Sequence, residues 1–266
     1  MTPVPDPSTD PSLNTTNKPT ARTTFRLAYG SCTDTGRLRR ANEDSMGVGT
    51  DICVVADGLG GHNAGDIASE IAVATIIKGA TGGLSSPEAL GALVQQANRD
   101  IYDSSAANPA QRGMATTVTT LAVLPGPTPR VMVANVGDSR TSLYRTGDFI
   151  RVSKDHSLVQ DMIDRGEIDP DNAWRHPEGN VLTRAVGIEP MVEVDVFVLD
   201  VMPKDRFLLC SDGLIDEVSE EDTAEILWRH TDPQECAEAL VARANENGGS
   251  DNITVIVVDV VPIAAG

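Results

Sequence analysis

The sequence predicts an α+β protein in which β-sheets pack on each other and helices cover the outside. Strand-like and helix-like runs come in alternating blocks, the pattern expected of stacked layers. The helical runs come in pairs, one pair spanning residues 67–101 and another beginning near 219 and 232. The last run, ITVIVVDV at 253–260, is apolar almost without a break and suits the centre of a sheet.

Residues 1–24 are rich in Pro, Thr, Ser and Asn with almost no apolar content, so burial cannot offset their ordering entropy, and a disordered tail is expected. One domain, 25–262, should follow. Its first strand lies near Phe25–Cys32, a turn-rich link comes next, and ICVVADG at 52–58 forms the second strand. Ile67, Ile71, Ala74 and Ile77 recur at three- and four-residue steps, as do Leu90, Leu93, Val94, Ala97 and Ile101, so each set marks the buried face of a helix. Runs at 116–124, 130–136 and 140–145, separated by Pro/Gly turns, read as an antiparallel meander. The stretch 153–190 is mostly polar with a short helix around Ser157–Arg165, and its length favours a flap over a plain connection. Strands at VEVDVFVL and RFLLCSD precede two helices with good start signals: Ser219 with Asp222 three residues on, and Asp232 followed by Pro233.

Composition narrows the function. The 266 residues are 40% hydrophobic but only 3% aromatic, so the core is aliphatic and base-stacking platforms are not expected. With 39 acidic against 21 basic residues, a net charge of −18, a nucleic-acid partner is disfavoured. No apolar stretch approaches the roughly 18–20 residues needed to span a bilayer, and no signal-peptide pattern opens the chain. A cytoplasmic protein with no membrane partner is expected. Cys32, Cys53, Cys210 and Cys236 are dispersed without a CxxC pair and read as reduced thiols.

The chemistry lies at the strand ends. ICVVADG and FLLCSDG both end an apolar run in Asp-Gly, at Asp57 and Asp212; Asp138 follows VMVANVG, and Asp251 precedes the final strand. If these ends share a rim, four carboxylates converge, and the economical reading is a divalent metal site. Gly58 frees the backbone to turn its carbonyl toward a cation, and Gly60 and Gly61 leave room for a ligand. ANED at 41–44 adds Glu43 and Asp44, and Arg39 can grip a phosphate. An all-oxygen set points to Mg or Mn rather than Zn or Cu. Two such ions sharing a water suit phosphoryl hydrolysis, which also needs an acid for the leaving alkoxide; His62, directly after the Asp-Gly loop, is the candidate.

Eight motifs in order complete the pattern: RRANED (39–44), ADGLGGH (56–62), GMATT (113–117), NVGDSR (135–140), DHSLVQ (155–160), NVLTRAVG (180–187), CSDGL (210–214) and SDNITVIVV (250–258). In these the chain resembles the metal-dependent, type 2C serine/threonine protein phosphatases in their compact bacterial form. The resemblance implies a four-layer αββα sandwich, two antiparallel sheets flanked by pairs of antiparallel helices, with metals at one end. It implies two Mn2+ or Mg2+ ions, with Asp57 bridging them, Asp212 and Asp251 completing one, and the Gly58 carbonyl serving the other. Glu43 would act on the second through water, and Asp138 would share a third, weaker ion with Asp212. Arg39 would hold the substrate phosphate, with Arg40 as the alternative one register away, and His62 would be the acid. For Asp44 a structural hydrogen bond is an equal alternative. The segment 153–190 would be the family's flap, and Ala115 departs from a glycine common before the Thr pair. The implied partners are phosphoserine and phosphothreonine proteins and a cognate kinase, with the phosphatase a monomer. Two other readings remain open here: an inactive phosphoprotein-binding scaffold of the same fold, and a phosphatase of one stress-regulatory antagonist protein.

Overall fold

The structure, a computed structural model, describes residues 25–59, 64–170 and 176–263. The tail expected at 1–24 and the candidate acid His62 lie outside the described residues. Two five-stranded antiparallel sheets form the centre. One carries, in spatial order, β1 (Phe25–Asp34), β12 (Ile253–Pro262), β11 (Arg206–Cys210), β8 (Arg140–Arg145) and β9 (Asp148–Arg151). The other carries β10 (Asp195–Asp200), β7 (Arg130–Val136), β6 (Val118–Leu124), β3 (Ile52–Ala56) and β2 (Ser45–Val48). A two-stranded ribbon pairs β4 (Gly58–Leu59) with β5 (Ala115–Thr116).

Side-chain alternation builds the layers. Cys53, Val55, Leu121, Val123, Val131 and Val133 face Phe207, Leu209, Ile256 and Val258 between the sheets. Their neighbours Ile52, Val54, Ala122, Met132 and Ala134 point the other way, onto α1 (Gly65–Gly79) and α2 (Pro87–Ala107). The short helix α3 (Leu158–Asp164) lies in the 153–190 stretch, and Leu208, Cys210, Val255 and Val257 meet the far helical layer, α4 (Asp212–Ile215), α5 (Glu220–Arg229) and α6 (Pro233–Asn247). A strand covered on both faces has no reason to alternate in polarity, which explains the unbroken run in β12. The four layers match the αββα architecture. Among the described residues no helix is long and apolar enough to cross a membrane.

The caps act as predicted. Ser219 accepts from the Asp222 N–H at 3.1 Å, and Asp232 from those of Gln234 and Glu235 at 2.9 and 3.0 Å. Four local expectations need correction. The runs 116–145 do not form one meander: β6 and β7 pair, but the turn at Gly137–Asp138 carries β8 into the other sheet. The core face of α1 is Ala68, Ala72 and Ile76, while Ile67, Ile71 and Ile77 pack at its flanks and Ala74 is exposed. Small residues on that face let the helix lie close to the sheet. Asp212 opens the first turn of α4, two residues beyond the last residue of β11. Finally, β2 and β9 are strands where the sequence suggested only connections.

Candidate metal centre

Strand polarity brings the acids together. β3 and β7 both lie antiparallel to β6, so their C-terminal ends share a rim. β11 runs antiparallel to β12, so the end of β11 lies beside the start of β12. Asp57 follows β3, Asp138 follows β7, Asp212 follows β11, and Asp251 precedes β12. The four sequence-predicted acids do meet at one end of the sandwich.

The Asp57 and Asp212 carboxyls lie within hydrogen-bonding range of each other. Burial, and then the charges of Asp212, Asp44 and Asp138, hold Asp57 well above the usual carboxylate range. Burial, followed by Asp138 and Asp216, does the same to Asp212. Asp138 is pushed up to about 6 by burial and by Asp155, against the pull of its own backbone hydrogen bond and of Arg140. The charges acting most strongly on Asp57 are all negative. Such a cluster is stabilised either by bound protons or by bound cations.

Backbone contacts fix the acids in place. The Thr117 hydroxyl oxygen accepts from the Asp57 N–H at 3.0 Å, while the Thr116 hydroxyl and the Thr117 N–H both donate to the Asp57 carbonyl at 2.8 Å. Thr117 and Ser139 share a further bond at 2.7 Å, tying the Asp57 turn to the Asp138 turn. A side chain at Gly58 would put a Cβ 2.2 Å from the Gly65 carbonyl oxygen and 2.4 Å from that of Glu43, so only glycine fits there. Gly58 also donates its N–H to the Glu43 carbonyl at 3.2 Å.

Asn252 holds the opposite wall. Its amide donates to the carbonyls of Thr35 and Ala41, both at 2.9 Å, and accepts from the Glu43 N–H at 2.8 Å. That hangs the loop carrying Arg39 and Glu43 beside Asp251, whose carboxylate takes the Arg39 guanidinium at 2.5 Å. Burial and then Asp66 raise the Glu43 pKa, with Arg39 opposing. Arg40 is exposed. Asp44 is buried and accepts from the Ser211 hydroxyl at 2.8 Å, and burial pushes its pKa up to about 6. The structural reading of Asp44 as a loop hydrogen bonder therefore has a direct counterpart.

These residues fit a hard divalent cation. The donors are all oxygen, and Asp212 Oδ1 and Asp44 Oδ1 are buried without a hydrogen-bond partner among the described residues. Among the described residues no three acidic, His or Cys side chains close around one point. Mg2+-like ions tolerate that, since they keep several waters between themselves and the protein. Sequence reasoning missed Asn252, Thr117, Ser139 and Asp216. All but Asp216 lie inside the quoted motifs, but small polar residues there carry no chemistry of their own and signal nothing until the backbone they hold is known.

Comparison with known proteins decides the family: the protein phosphatase 2C pattern matches residues 39–243. The chain belongs to the protein phosphatase 2C family. It is 40% identical to the serine/threonine phosphatase Stp of Listeria monocytogenes over 238 residues, 85% of this chain and 93% of that one. The crystal structure of the Mycobacterium tuberculosis serine/threonine phosphatase PstP superposes with a TM-score of 0.81 at 35% identity, covering 88% of this chain and 98% of that one. The PstP catalytic domain in complex with 2 manganese ions gives 0.82 at 34% identity, covering 90% and 100%. This phosphatase is thus a metal-dependent serine/threonine protein phosphatase, and phosphoproteins are its substrates.

Proposed function

We propose that the phosphatase hydrolyses phosphoserine and phosphothreonine in proteins at a binuclear Mn or Mg centre on the acidic rim, reversing the action of a serine/threonine kinase. The observation that carries this reading is the pooling of Asp57, Asp138 and Asp212, whose carboxyls burial and then neighbouring acidic groups hold above the usual carboxylate range. When bound, a pair of such cations supplies Lewis acidity and a water deprotonated near neutral pH for in-line attack on phosphorus.

The residues divide the remaining work. Asp57, whose backbone Thr116 and Thr117 hold in place, would be the carboxylate shared by the two cations. Asp212 and Asp251 would complete the set for one ion. The Gly58 carbonyl would serve the other, with Glu43 acting through water. Asp138 and Asp212 would hold a third, weaker ion. Arg39, half-exposed and tethered to Asp251, orients the substrate phosphate. His62 protonates the leaving alkoxide, and 153–190 is the flap beside the cleft.

Turnover of a phosphothreonine peptide tests the reading. Chelation should abolish it and Mn2+ restore it. Activity that survives both chelation and Asp57→Asn would sink the proposal, and a His62→Gln variant that keeps its turnover would remove His62 from it.

A further inference from the structure

The roles above leave His156 unused. His156 is 4% exposed and sits where the 153–190 segment leaves the sheets. Its Nδ1 accepts from the Gly137 N–H at 3.1 Å, and its own backbone N–H donates to the Gly137 carbonyl at 2.9 Å. Residue 137 is therefore gripped at both its nitrogen and its oxygen. The same carbonyl takes the Asn135 amide at 3.2 Å. Gly137 directly precedes Asp138 and has a φ of +100°, and a Cβ on it would lie 2.7 Å from the Thr117 side chain. On its other side the imidazole Nε2 lies 3.2 Å from Asp195 Oδ2 on β10, a short contact that is not well directed as a hydrogen bond. Asp195 in turn takes Arg184 at 2.9 Å, and the His156 carbonyl accepts from the Thr183 N–H at 2.9 Å.

A neutral imidazole has one nitrogen that donates and one that accepts. A backbone N–H can only donate, so the Gly137 contact requires Nδ1 to be bare and puts the ring proton on Nε2, toward Asp195. Burial lowers the imidazole pKa and works in the same direction.

We propose that His156 is a positioning residue whose Nδ1 lone pair fixes the Gly137 peptide, thereby aiming the Asp138 carboxylate into the rim and coupling it to residues 183–184. The proposal rests on the reading of Asp138 as a cation ligand. His156 touches no reacting atom.

Two measurements test it. Nitrogen-15 NMR of the histidine-labelled full chain near pH 7.5 should find Nδ1 of His156 unprotonated and Nε2 protonated; a protonated Nδ1 overturns the proposal. Manganese binding followed by EPR then separates the lone pair from the shape. In His156→Asn the amide oxygen can take over the Nδ1 position, so Mn2+ affinities should stay near those of the unaltered protein. His156→Phe fills the space without an acceptor and should weaken by about 10-fold the ion that Asp138→Asn removes, as loss of an outer hydrogen-bond partner does at metal sites. Unchanged Mn2+ binding in His156→Phe, or equal weakening in both variants, overturns the proposal. If His156→Phe does not fold, the nitrogen spectrum and His156→Asn still decide. If Asp138→Asn leaves every Mn2+ affinity unchanged, the ligand reading of Asp138 fails and the aiming role with it, while the spectrum reports separately whether the grip exists.

Discussion

The two ends of β11 treat buried charge in opposite ways. At its start, Arg206 is 7% exposed, meets Asp259 through two hydrogen bonds of 2.6 and 2.8 Å, and donates to the carbonyls of Leu227, His230 and Thr231. Nearby, Arg145 holds the buried Asp205 at 2.6 and 2.8 Å. At its finish, Asp212 faces Asp57, Asp138 and Asp251, and the nearby Arg140 is already engaged by Asp155 at 2.6 Å. One end is neutralised by the chain itself. The other is left short of positive charge, the condition that the proposed cation site requires.

The largest expected effect breaks the acidic end. Asp212→Asn should lower phosphopeptide turnover on the order of 10³-fold while making the metal-free protein more stable by about 1 kcal/mol, because a repelled carboxylate is gone. Urea unfolding in chelator reads the second half, and a loss of stability there would contradict the shortage. At the paired end the signs reverse. Arg206→Met should cost about 3 kcal/mol of stability by stranding Asp259 and three carbonyls, with turnover per folded molecule within about two-fold of the original.

A smaller effect compares the ends through pH. The Asp44 and Asp138 carboxyls sit near 6 in the folded protein and near 3.8 when unperturbed, so the folded state binds extra protons between those values. Their stabilising contribution is complete below pH 3.8 and is lost as pH rises through about 6. Metal-free protein should therefore lose roughly 4 kcal/mol between pH 4.5 and 7, about 2 from each group, and saturating Mn2+ should flatten that slope. A metal-free stability that climbs steadily over the same range would refute it. The smallest effect is at Thr117→Val, which strands the Asp57 N–H and should cost about 1 kcal/mol with a few-fold drop in turnover.

Much of the acidic end was legible beforehand, because a carboxylate just outside an apolar run is a local signal. Asp57, Asp138, Asp212 and Asp251 each announce themselves that way, and the structure does bring them to one rim. The layer order was legible for a similar reason, since unbroken runs such as β12 require cover on both faces. What stayed hidden is long-range. Nothing local distinguishes a turn that continues a meander from the Gly137 turn that changes sheets. The face of α1 was misread because periodicity weights large side chains, whereas close packing against a sheet selects Ala68 and Ala72. The Asn252 clamp spans 209 to 217 residues, and a single asparagine carries no trace of its partners.

That clamp also sets the order in which the protein can become an enzyme. Asn252 joins residues 35–43 to the start of β12, and β1 pairs with β12 over its whole length, so the acidic rim is assembled from segments at opposite ends of the domain. Contacts of such separation form late, after the cost of closing the chain between them has been met. A growing polypeptide that lacks β12 has neither Asp251 nor the support for Arg39 and Glu43. On the proposed roles of Asp251, Arg39 and Glu43, phosphatase activity is thus withheld during synthesis until β12 emerges.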